Sequence, residues 1–366
     1  MKYYFIYSAG GGGGEWDALE RVWSESVQES LKSNILMKFG DIFINHRSNS
    51  ENLIRPRRWE DINNIRQWMA DNTGDNYING GANILLDSGS AKIVSWITDK
   101  FPNLSSDEII DKFNCVYDAN NIYEKYASII NNSNVNYAVS FDIPNPFKVR
   151  SRGADNRLTV LERTEAFKFV DITAKYANDM HQVVGDKLMT TINGLWTPEE
   201  LDEFLDKLEY TPTSYAVGGM SSLRGRAFES CVVSLKETEC LDEVRTHFLG
   251  CAGIDKVRRL KQAGFSSDDL YSADCSTPIN RSFSDRISNY YFYDDGTMIK
   301  ILNETKDEIL ARHSASESPY FDEEELKDIL LLIIRHQEGA HDRTTFEARA
   351  KIMLHNSDVF RRNALE

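Results

Sequence analysis

A repeated alternation of short apolar strands and amphipathic helices between residues 83 and 283 leaves this chain few folds to choose from. Each predicted strand is six or seven residues long and combines a short apolar run with polar or glycine residues near its end, before a helix begins. Near-continuous apolar strands separated by helices are typical of a parallel sheet that is buried on both faces. The predicted strands cover residues 83–88, 113–118, 137–143, 188–194, 214–220, 246–252 and 270–275.

Seven such units favour a (β/α)8 barrel over an open doubly wound sheet, although no eighth strand is located. We expect residues 81–285 to form the barrel core with the active site. Residues 1–80 are expected to be an N-terminal elaboration packed on the barrel. Residues 286–366 are expected to form a hairpin that turns at Asp294-Asp295-Gly296, followed by helices near 322–337 and 343–356. The first of these helices is strongly apolar, so it packs on the body of the protein or permits a homodimer.

Local signals support the helices of the repeat and an N-terminal strand. Ser105 with Glu108, and Thr197 with Glu200, match the capping box that begins a helix. Residues 2–9 are predicted to form a strand, and the five glycines that follow it precede an amphipathic helix. A glycine loop between a strand and a helix suggests a phosphate cradle, but the spacing fits neither known phosphate-loop pattern, so a turn is the simpler interpretation.

Composition limits the function classes. The formal net charge of -15 argues against indiscriminate nucleic-acid binding, because phosphate contacts come from Lys and Arg. The five cysteines show no CxxC spacing, which argues against a disulfide framework and a structural zinc. Three histidines near the C-terminus, without cysteines beside them, do not predict a metal site either. No apolar run is long enough to cross a bilayer, so we expect a soluble, cytoplasmic protein without a membrane partner.

Polar residues follow most of the predicted strands. In a parallel barrel all the carboxyl ends of the strands lie on one rim, so these side chains are expected to converge there. The strand ends carry Asp87-Ser88-Gly89, Asp118, Asp142, Asn193-Gly194, Gly218-Gly219 and Asp274. Asp274 is the first candidate for chemistry, with a helix cap or a turn aspartate as the simpler interpretation.

Arginines follow three of these strand ends and would form a basic lip around the carboxylates, despite the acidic total. They are Arg150 and Arg152, Arg224 and Arg226, and Arg281. An anionic polymer that inserts one neutral, hydrogen-bonding group suits this arrangement. Basic runs at 55–58 and 256–261 are alternative phosphate contacts or solvated surfaces.

With these residues assembled, the sequence resembles the tRNA-guanine transglycosylase superfamily over residues 83–283. LLDSGSAKIVSW is similar to the family's DSGGFQ motif, which implies that Asp87 is the general acid/base and that Ser88 and Gly89 help to bind the base. FDIP is similar to an FDEC-type strand end, which makes Asp142 a candidate for binding the Watson–Crick edge of the base.

Four further segments extend the resemblance. TINGL stands where the family has a VQG-type turn, so Asn193 replaces a base-binding glutamine. YAVGGMS is similar to a GGL segment, which implies that Gly218 and Gly219 contact the base through their backbone. THFLGCAG and ADCSTPINR are similar to HYLMGVG and FDCVxPTR, which implies that Asp274 is the nucleophile and Arg281 a backbone-phosphate contact.

The chain also departs from the family. The tRNA enzymes carry a CxCxxC cluster after the nucleophile motif, and none of its cysteines is present here, so no zinc is expected. Ala91 replaces the aromatic residue of DSGGFQ, and Gly250 replaces the methionine of HYLMGVG. The pattern is more similar to phage-type DNA 7-deazaguanine transglycosylases, whose site of action would be the host cytoplasm. This similarity implies a DNA partner, with tRNA as the alternative.

The chemistry of base exchange fits these residue types. A carboxylate, Asp274, can form a covalent glycosyl intermediate at C1′ while a second, Asp87, protonates the leaving guanine. The incoming base is a 7-deazaguanine such as 7-cyano-7-deazaguanine, and the reaction demands no cofactor. Three alternatives stay open: a barrel hydrolase that uses the same aspartates, a binding module without turnover, and Cys275 as the nucleophile.

Overall fold

The computed structural model describes residues 1–8, 13–27, 29–40, 62–146, 160–284, 287–313 and 318–365. Eight strands form a closed, parallel barrel in sequential order. The predicted (β/α)8 fold is therefore confirmed. The strands are β1 (Lys2–Ile6), β2 (Asn34–Lys38), β3 (Asn83–Asp87), β4 (Tyr137–Val139), β5 (Leu188–Asn193), β6 (Ser214–Gly218), β7 (Arg245–Phe248) and β8 (Tyr271–Asp274).

Helices separate the strands, and further helices follow the barrel. In chain order they are α1 (Gly13–Ser26), α2 (Glu29–Lys32), α3 (Ile65–Thr73), α4 (Tyr77–Gly80), α5 (Ser90–Lys100), α6 (Ser106–Ala119), α7 (Ile122–Ser133), α8 (Val160–Val184), α9 (Pro198–Asp206), α10 (Gly225–Glu237), α11 (Ile254–Gln262), α12 (Thr277–Ile279), α13 (Lys306–Arg312), α14 (Glu323–Gln337) and α15 (Arg343–Leu365). A π-helical turn, Asn280–Ser284, extends α12.

The strand predicted at 113–118 is wrong, because these residues lie inside helix α6. The capping box of Ser105 and Glu108 forms as expected and begins this helix. The buried residues Ile109, Phe113 and Val116 follow the helical period, so the apolar run belongs to one helix face. Asp118 consequently lies near a helix end and not at the end of a strand.

The two strands that the repeat lacks come from the N-terminal segment. β1 forms where residues 2–9 predicted a strand, but it pairs with both β2 and β8 as a member of the barrel. β2, which the sequence interpretation did not identify, is only five residues long. Residues that we expected outside the barrel therefore supply two of its strands.

The chain divides into two compact units. Unit 1 comprises Met1–Leu36, Arg66–Asn83 and Gly250–Glu366. Its strands β1 and β8 pair in parallel, with Tyr4 opposite Asp274. The aromatic rings of Tyr7, Trp16 and Trp23 pack together behind β1, with centroid distances of 5.1 to 5.6 Å.

Unit 2 comprises Met37–Ile65 and Ile84–Leu249. Within it, β3 to β7 pair in sequence, and Asn193 at the end of β5 lies opposite Gly218 at the end of β6. A cluster of buried rings supports the ends of β3 and β4. Phe141 lies 4.9 Å from both Tyr117 and Tyr126, measured between ring centroids.

The C-terminal prediction is confirmed in its elements. The hairpin consists of β9 (Asn289–Tyr291) and β10 (Met298–Lys300), which pair antiparallel, and α14 and α15 follow. The apolar stripe of α14 is buried within unit 1. Among the described residues, no helix is long and apolar enough to cross a membrane.

Candidate functional site

Asp274 is the last residue of β8, and its carboxylate is almost fully enclosed, with 1% of the residue exposed. The backbone N–H of Gly250 donates to its Oδ1 at 2.8 Å, and the N–H of Ala252 donates to its carbonyl oxygen at 2.8 Å. All three residues belong to unit 1. The loop after β7 thus fixes both the side chain and the backbone of Asp274. An aspartate that only capped a helix or formed a turn would not need both contacts.

The contact to Asp274 depends on the backbone of Gly250. Its φ of 68° lies in the left-handed region, which residues other than glycine enter at a cost. The sequence identified this position only as a departure from the HYLMGVG motif. The structure explains why a glycine is found at position 250, since this conformation presents the N–H to the carboxylate of Asp274.

Cys275 is buried beside Asp274, and its thiol donates to Oγ1 of Thr277 at 3.1 Å. Burial raises the pKa of the Cys275 thiol above its ordinary value, against hydrogen bonds from Thr277 that lower it. The thiolate form is therefore disfavoured near neutral pH. This environment is typical of a structural cysteine and not of an activated nucleophile.

A second pair of carboxylates belongs to unit 2. Asp87 ends β3, and Asp142 follows β4. Burial, and secondarily the charge of Asp87, raises the pKa of Asp142 to about 7. The charge of Asp87 therefore affects the protonation of Asp142, which retains a proton near neutral pH where an ordinary aspartate does not. A carboxyl in this state can both donate and accept a hydrogen bond.

Backbone and hydroxyl groups hold this pair in place. The N–H of Gly89 donates to Oδ1 of Asp87 at 3.3 Å, and the N–H of Asp142 donates to Oγ of Ser90 at 3.3 Å. The hydroxyls of Ser88 and Ser90 are 3.0 Å apart, and both serines are buried. Ser90 therefore links the loop after β3 to the loop after β4.

Gly89 is required for steric reasons as well. Its φ is 74°, and a Cβ at this position would meet the backbone nitrogen of Gly40 at 2.4 Å. The backbone directly after β2 and the loop after β3 thus approach each other through two glycines. Gly40 was not identified from the sequence, because a close approach of backbones leaves no local motif.

Tyr126 of α7 ties the two carboxylate-bearing strands together from the other side. Its hydroxyl lies 2.8 Å from the carbonyl oxygen of Leu86 and 2.9 Å from that of Val139. Burial, followed by the charge of Asp87, raises the pKa of Tyr126 well above its ordinary value. Tyr126 remains a neutral donor that holds the ends of β3 and β4 in register.

The carboxyl ends of β5 and β6, also in unit 2, carry further candidate base-binding residues. The side chain of Asn193 is 8% exposed, and its Oδ1 accepts the N–H of Leu195 at 3.0 Å. A Cβ on Gly219, whose φ is 80°, would meet that same Oδ1 at 2.1 Å. Asn193 therefore packs against Gly219 and closes its own turn. At Gly218 a Cβ would meet only a carbonyl oxygen at 3.9 Å, so there is free space beside its Cα.

The predicted basic residues are distributed over both units. Arg224 and Arg226 are exposed around the start of α10, after β6 in unit 2. Arg281 is half-buried in the π-helical turn after β8 in unit 1, where it has a partner. Arg150 and Arg152 lie outside the described residues, as does the basic run at 55–58.

Two lysines of unit 2 interact, and the sequence did not lead us to predict this interaction. Burial, and then the charge of Lys38, lowers the pKa of Lys92 to about 8. Lys38 is the last residue of β2, and Lys92 lies in the first turn of α5, just after β3, so both lie at or near the carboxyl ends of barrel strands. The available signal was a lysine five residues after Asp87, but without the strand at β2 its neighbour could not be identified.

The C-terminal histidines occupy two separate environments. His336 and His341 contact each other at 3.3 Å between Nδ1 atoms, and His336 also contacts Arg349. His355 is buried. Its Nδ1 contacts the hydroxyl of Ser318, and its Nε2 contacts the carbonyl oxygen of Tyr291. Over the described ranges no group of three or more His, Cys, Asp or Glu side chains has the geometry to hold a metal ion.

Comparisons with known proteins identify no family for this chain. No protein-family model matches the chain, and a search of curated proteins finds no significant similarity. A function for this protein can therefore be proposed only from its residues and their geometry.

Proposed function

We propose that this protein is a transglycosylase that exchanges guanine in DNA for a 7-deazaguanine base. The observation that carries the proposal is Asp274, a buried carboxylate at the carboxyl end of a barrel strand that is held by the N–H of Gly250. Catalytic groups of (β/α)8 enzymes are found at this end of the strands. The resemblance of the surrounding motifs to guanine transglycosylases supports the choice of reaction.

In the proposed reaction, a carboxylate oxygen of Asp274 attacks C1′ of the target nucleoside. The bond from C1′ to N9 of guanine breaks, its electron pair leaves with the base, and an aspartyl-glycosyl ester forms. The corresponding nitrogen of the incoming base then attacks C1′ and releases the carboxylate. One base replaces another with no net hydrolysis, so neither an oxidant nor a cofactor is required.

The Asp87–Asp142 pair suits the proton transfers of this reaction. The leaving guanine needs a proton, and the incoming base must lose one. Because burial, and then the charge of Asp87, raises the pKa of Asp142 to about 7, Asp142 can hold a proton beside Asp87 up to about neutral pH. We propose Asp87 as the acid/base and Asp142 as the group that binds the Watson–Crick edge, with Ser88, Gly89, Gly218 and Gly219 around the base.

DNA rather than tRNA is the proposed polymer, because the chain lacks the cysteine cluster that the resembling tRNA enzymes carry. Arg224, Arg226 and Arg281 are the described candidates for phosphate contacts. The target base must leave its stack to reach a buried carboxylate, so the substrate presents a flipped or unpaired nucleotide. The exposed positions of Arg224 and Arg226 suit contacts with the phosphate backbone.

The test is incorporation of labelled 7-cyano-7-deazaguanine into duplex DNA, single-stranded DNA and tRNA, offered in parallel to wild type and Asp274→Asn. We expect label in DNA with wild type alone. Label in tRNA would move the substrate to RNA. Release of guanine without incorporation would instead support an N-glycosidase, and no reaction with any polymer would contradict the proposal.

A further inference from the structure

The π-helical turn Asn280–Ser284 follows β8 and α12 closely in unit 1, so it lies just beyond the strand that ends in Asp274. It carries Arg281, the described candidate of this unit for a phosphate contact. π-helical turns are rare and occur frequently at functional sites. The contacts that hold this turn therefore bear on how Arg281 is presented beside the proposed nucleophile.

Arg349 of α15 contacts the two residues that directly follow Arg281. Its Nε donates to the carbonyl oxygen of Ser282, and its guanidinium carbon lies 5.5 Å from the centroid of the Phe283 ring. Both contacts are made within unit 1. One side chain of the last helix thus holds the backbone on the C-terminal side of Arg281.

Helix α14 holds Arg349 from the other side. Nη1 of Arg349 contacts Nε2 of His336 at 2.5 Å, and Nδ1 of His336 contacts Oγ1 of Thr345 at 3.2 Å. Burial, and then the charge of Arg349, lowers the pKa of His336 to about 4. The imidazole is therefore uncharged near neutral pH, and its Nε2 can accept from the guanidinium. Arg349 is consequently fixed between α14 and the π-helical turn.

The burial of Arg349 excludes a direct role at the surface. Only 4% of this residue is exposed, so its guanidinium is not accessible to a polymer. A buried charge costs desolvation free energy, and apolar side chains of similar volume are often equally or more stabilising. An arginine differs from such a side chain in its planar set of N–H donors, which can fix a carbonyl and an imidazole at once.

We propose that Arg349 is a positioning residue, which holds the π-helical turn so that Arg281 is oriented toward a DNA phosphate next to Asp274. A side chain that is already oriented loses less conformational entropy when it binds, so it binds more tightly. Loss of Arg349 would thus act on DNA through Arg281. The positioning role rests on the proposed function, which gives Arg281 a phosphate to contact.

DNA binding tests this role without requiring turnover. A fluorescein-labelled duplex with one unpaired guanine is titrated by anisotropy at several salt concentrations with Asp274→Asn protein, which avoids covalent capture. Adding Arg281→Ala should weaken binding about tenfold and make the slope of log affinity against log salt shallower by about 0.9, because one phosphate contact is lost. Adding Arg349→Met should change the affinity and the slope in the same direction by similar amounts, although Arg349 itself is buried.

A double-variant comparison separates positioning from a general effect on the fold. Protein with both Arg281→Ala and Arg349→Met should bind DNA no more weakly than protein with Arg281→Ala alone, because the effect of Arg349 passes through Arg281. Effects that multiply, or unchanged binding in Arg349→Met, would overturn the proposal.

The matched control is Arg335→Met, which removes the same charge from an exposed residue of α14 that pairs with Asp342 at 3.4 Å. Its DNA affinity should stay within about twofold of the parent protein. Equal weakening by Arg335→Met and Arg349→Met would indicate a general charge effect and overturn the positioning role.

Circular dichroism and the melting temperature establish which variants are folded. If Arg349→Met does not fold, Arg349→Lys takes its place, because lysine keeps the charge but lacks the planar fork of donors. Its effect on DNA binding should again vanish in Arg281→Ala protein, and an effect that persists there would overturn the proposal. Base incorporation by wild type judges the reaction separately. No incorporation, with the Arg281-dependent effect of Arg349 retained, would overturn base exchange and support the positioning role.

Discussion

The protonation of Asp142 is shifted by its surroundings. Its pKa of about 7 arises from burial first and from Asp87 second. Because the unfolded chain ionises near the ordinary aspartate value, folded protein holds a proton over an interval in which unfolded protein has lost it. The free energy of unfolding should therefore fall as pH rises from about 4 to about 7, and Asp142 should contribute no further change above that range.

Asp142→Asn should remove this dependence. We expect the variant to be more stable than wild type at pH 8 by roughly 1–3 kcal/mol, with the difference shrinking toward pH 4. Urea denaturation at several pH values measures it. In Asp87→Asn the midpoint of Asp142 ionisation, followed by carbon NMR, should fall below 7. Parallel stability profiles for wild type and Asp142→Asn would contradict the raised pKa.

Gly250→Ala tests the support of Asp274. The left-handed φ of Gly250 disfavours a side chain, so we expect a loss of about 1 kcal/mol in stability and a larger loss in base exchange. Gly253→Ala is the matched control, since a Cβ there meets nothing within 4 Å and its φ is −65°. Equal exchange rates in the two variants would mean that the Gly250 contact does not position the nucleophile.

Helix and strand periods explain which elements were predictable. The start of α9 was predictable from Thr197, Glu200 and Pro198. The structure contains the predicted capping box. The run 113–118 was misassigned because a short apolar run fits a strand and a buried helix face equally well. The capping box at Ser105 was the signal that distinguishes them, since a helix that begins there continues through Phe113.

Helix α14 offers two neighbouring leucines in opposite environments. Leu330 is fully buried in unit 1, and Leu331 is 39% exposed. Leu330→Ala should cost about 2–5 kcal/mol, and Leu331→Ala should remain within about 0.5 kcal/mol of wild type in chemical denaturation. A large, concentration-dependent loss for Leu331→Ala alone would indicate that the exposed face is covered by a second copy.

The fold class follows from the order of elements, whereas the groups around the candidate carboxylates follow from contacts that sequence does not record. Six predicted strands of the repeat form in the barrel, and the strand prediction at residues 2–9 supplies β1. β2 is short and lies outside the repeat, so its end, with Lys38 and Gly40, was missed. The approach of Gly40 to Gly89 and the pairing of Asp142 with Ser90 depend on residues about fifty positions apart.

We propose that Asp274 becomes covalently attached to the sugar of DNA during base exchange. Labelled DNA is incubated with wild-type protein without an incoming base, the reaction is quenched with acid, and the adduct is located by peptide mass mapping. We predict an adduct on the peptide that contains Asp274, and at least about a thousandfold loss of exchange in Asp274→Asn. An adduct on Cys275, or exchange by Asp274→Asn at the wild-type rate, would contradict it.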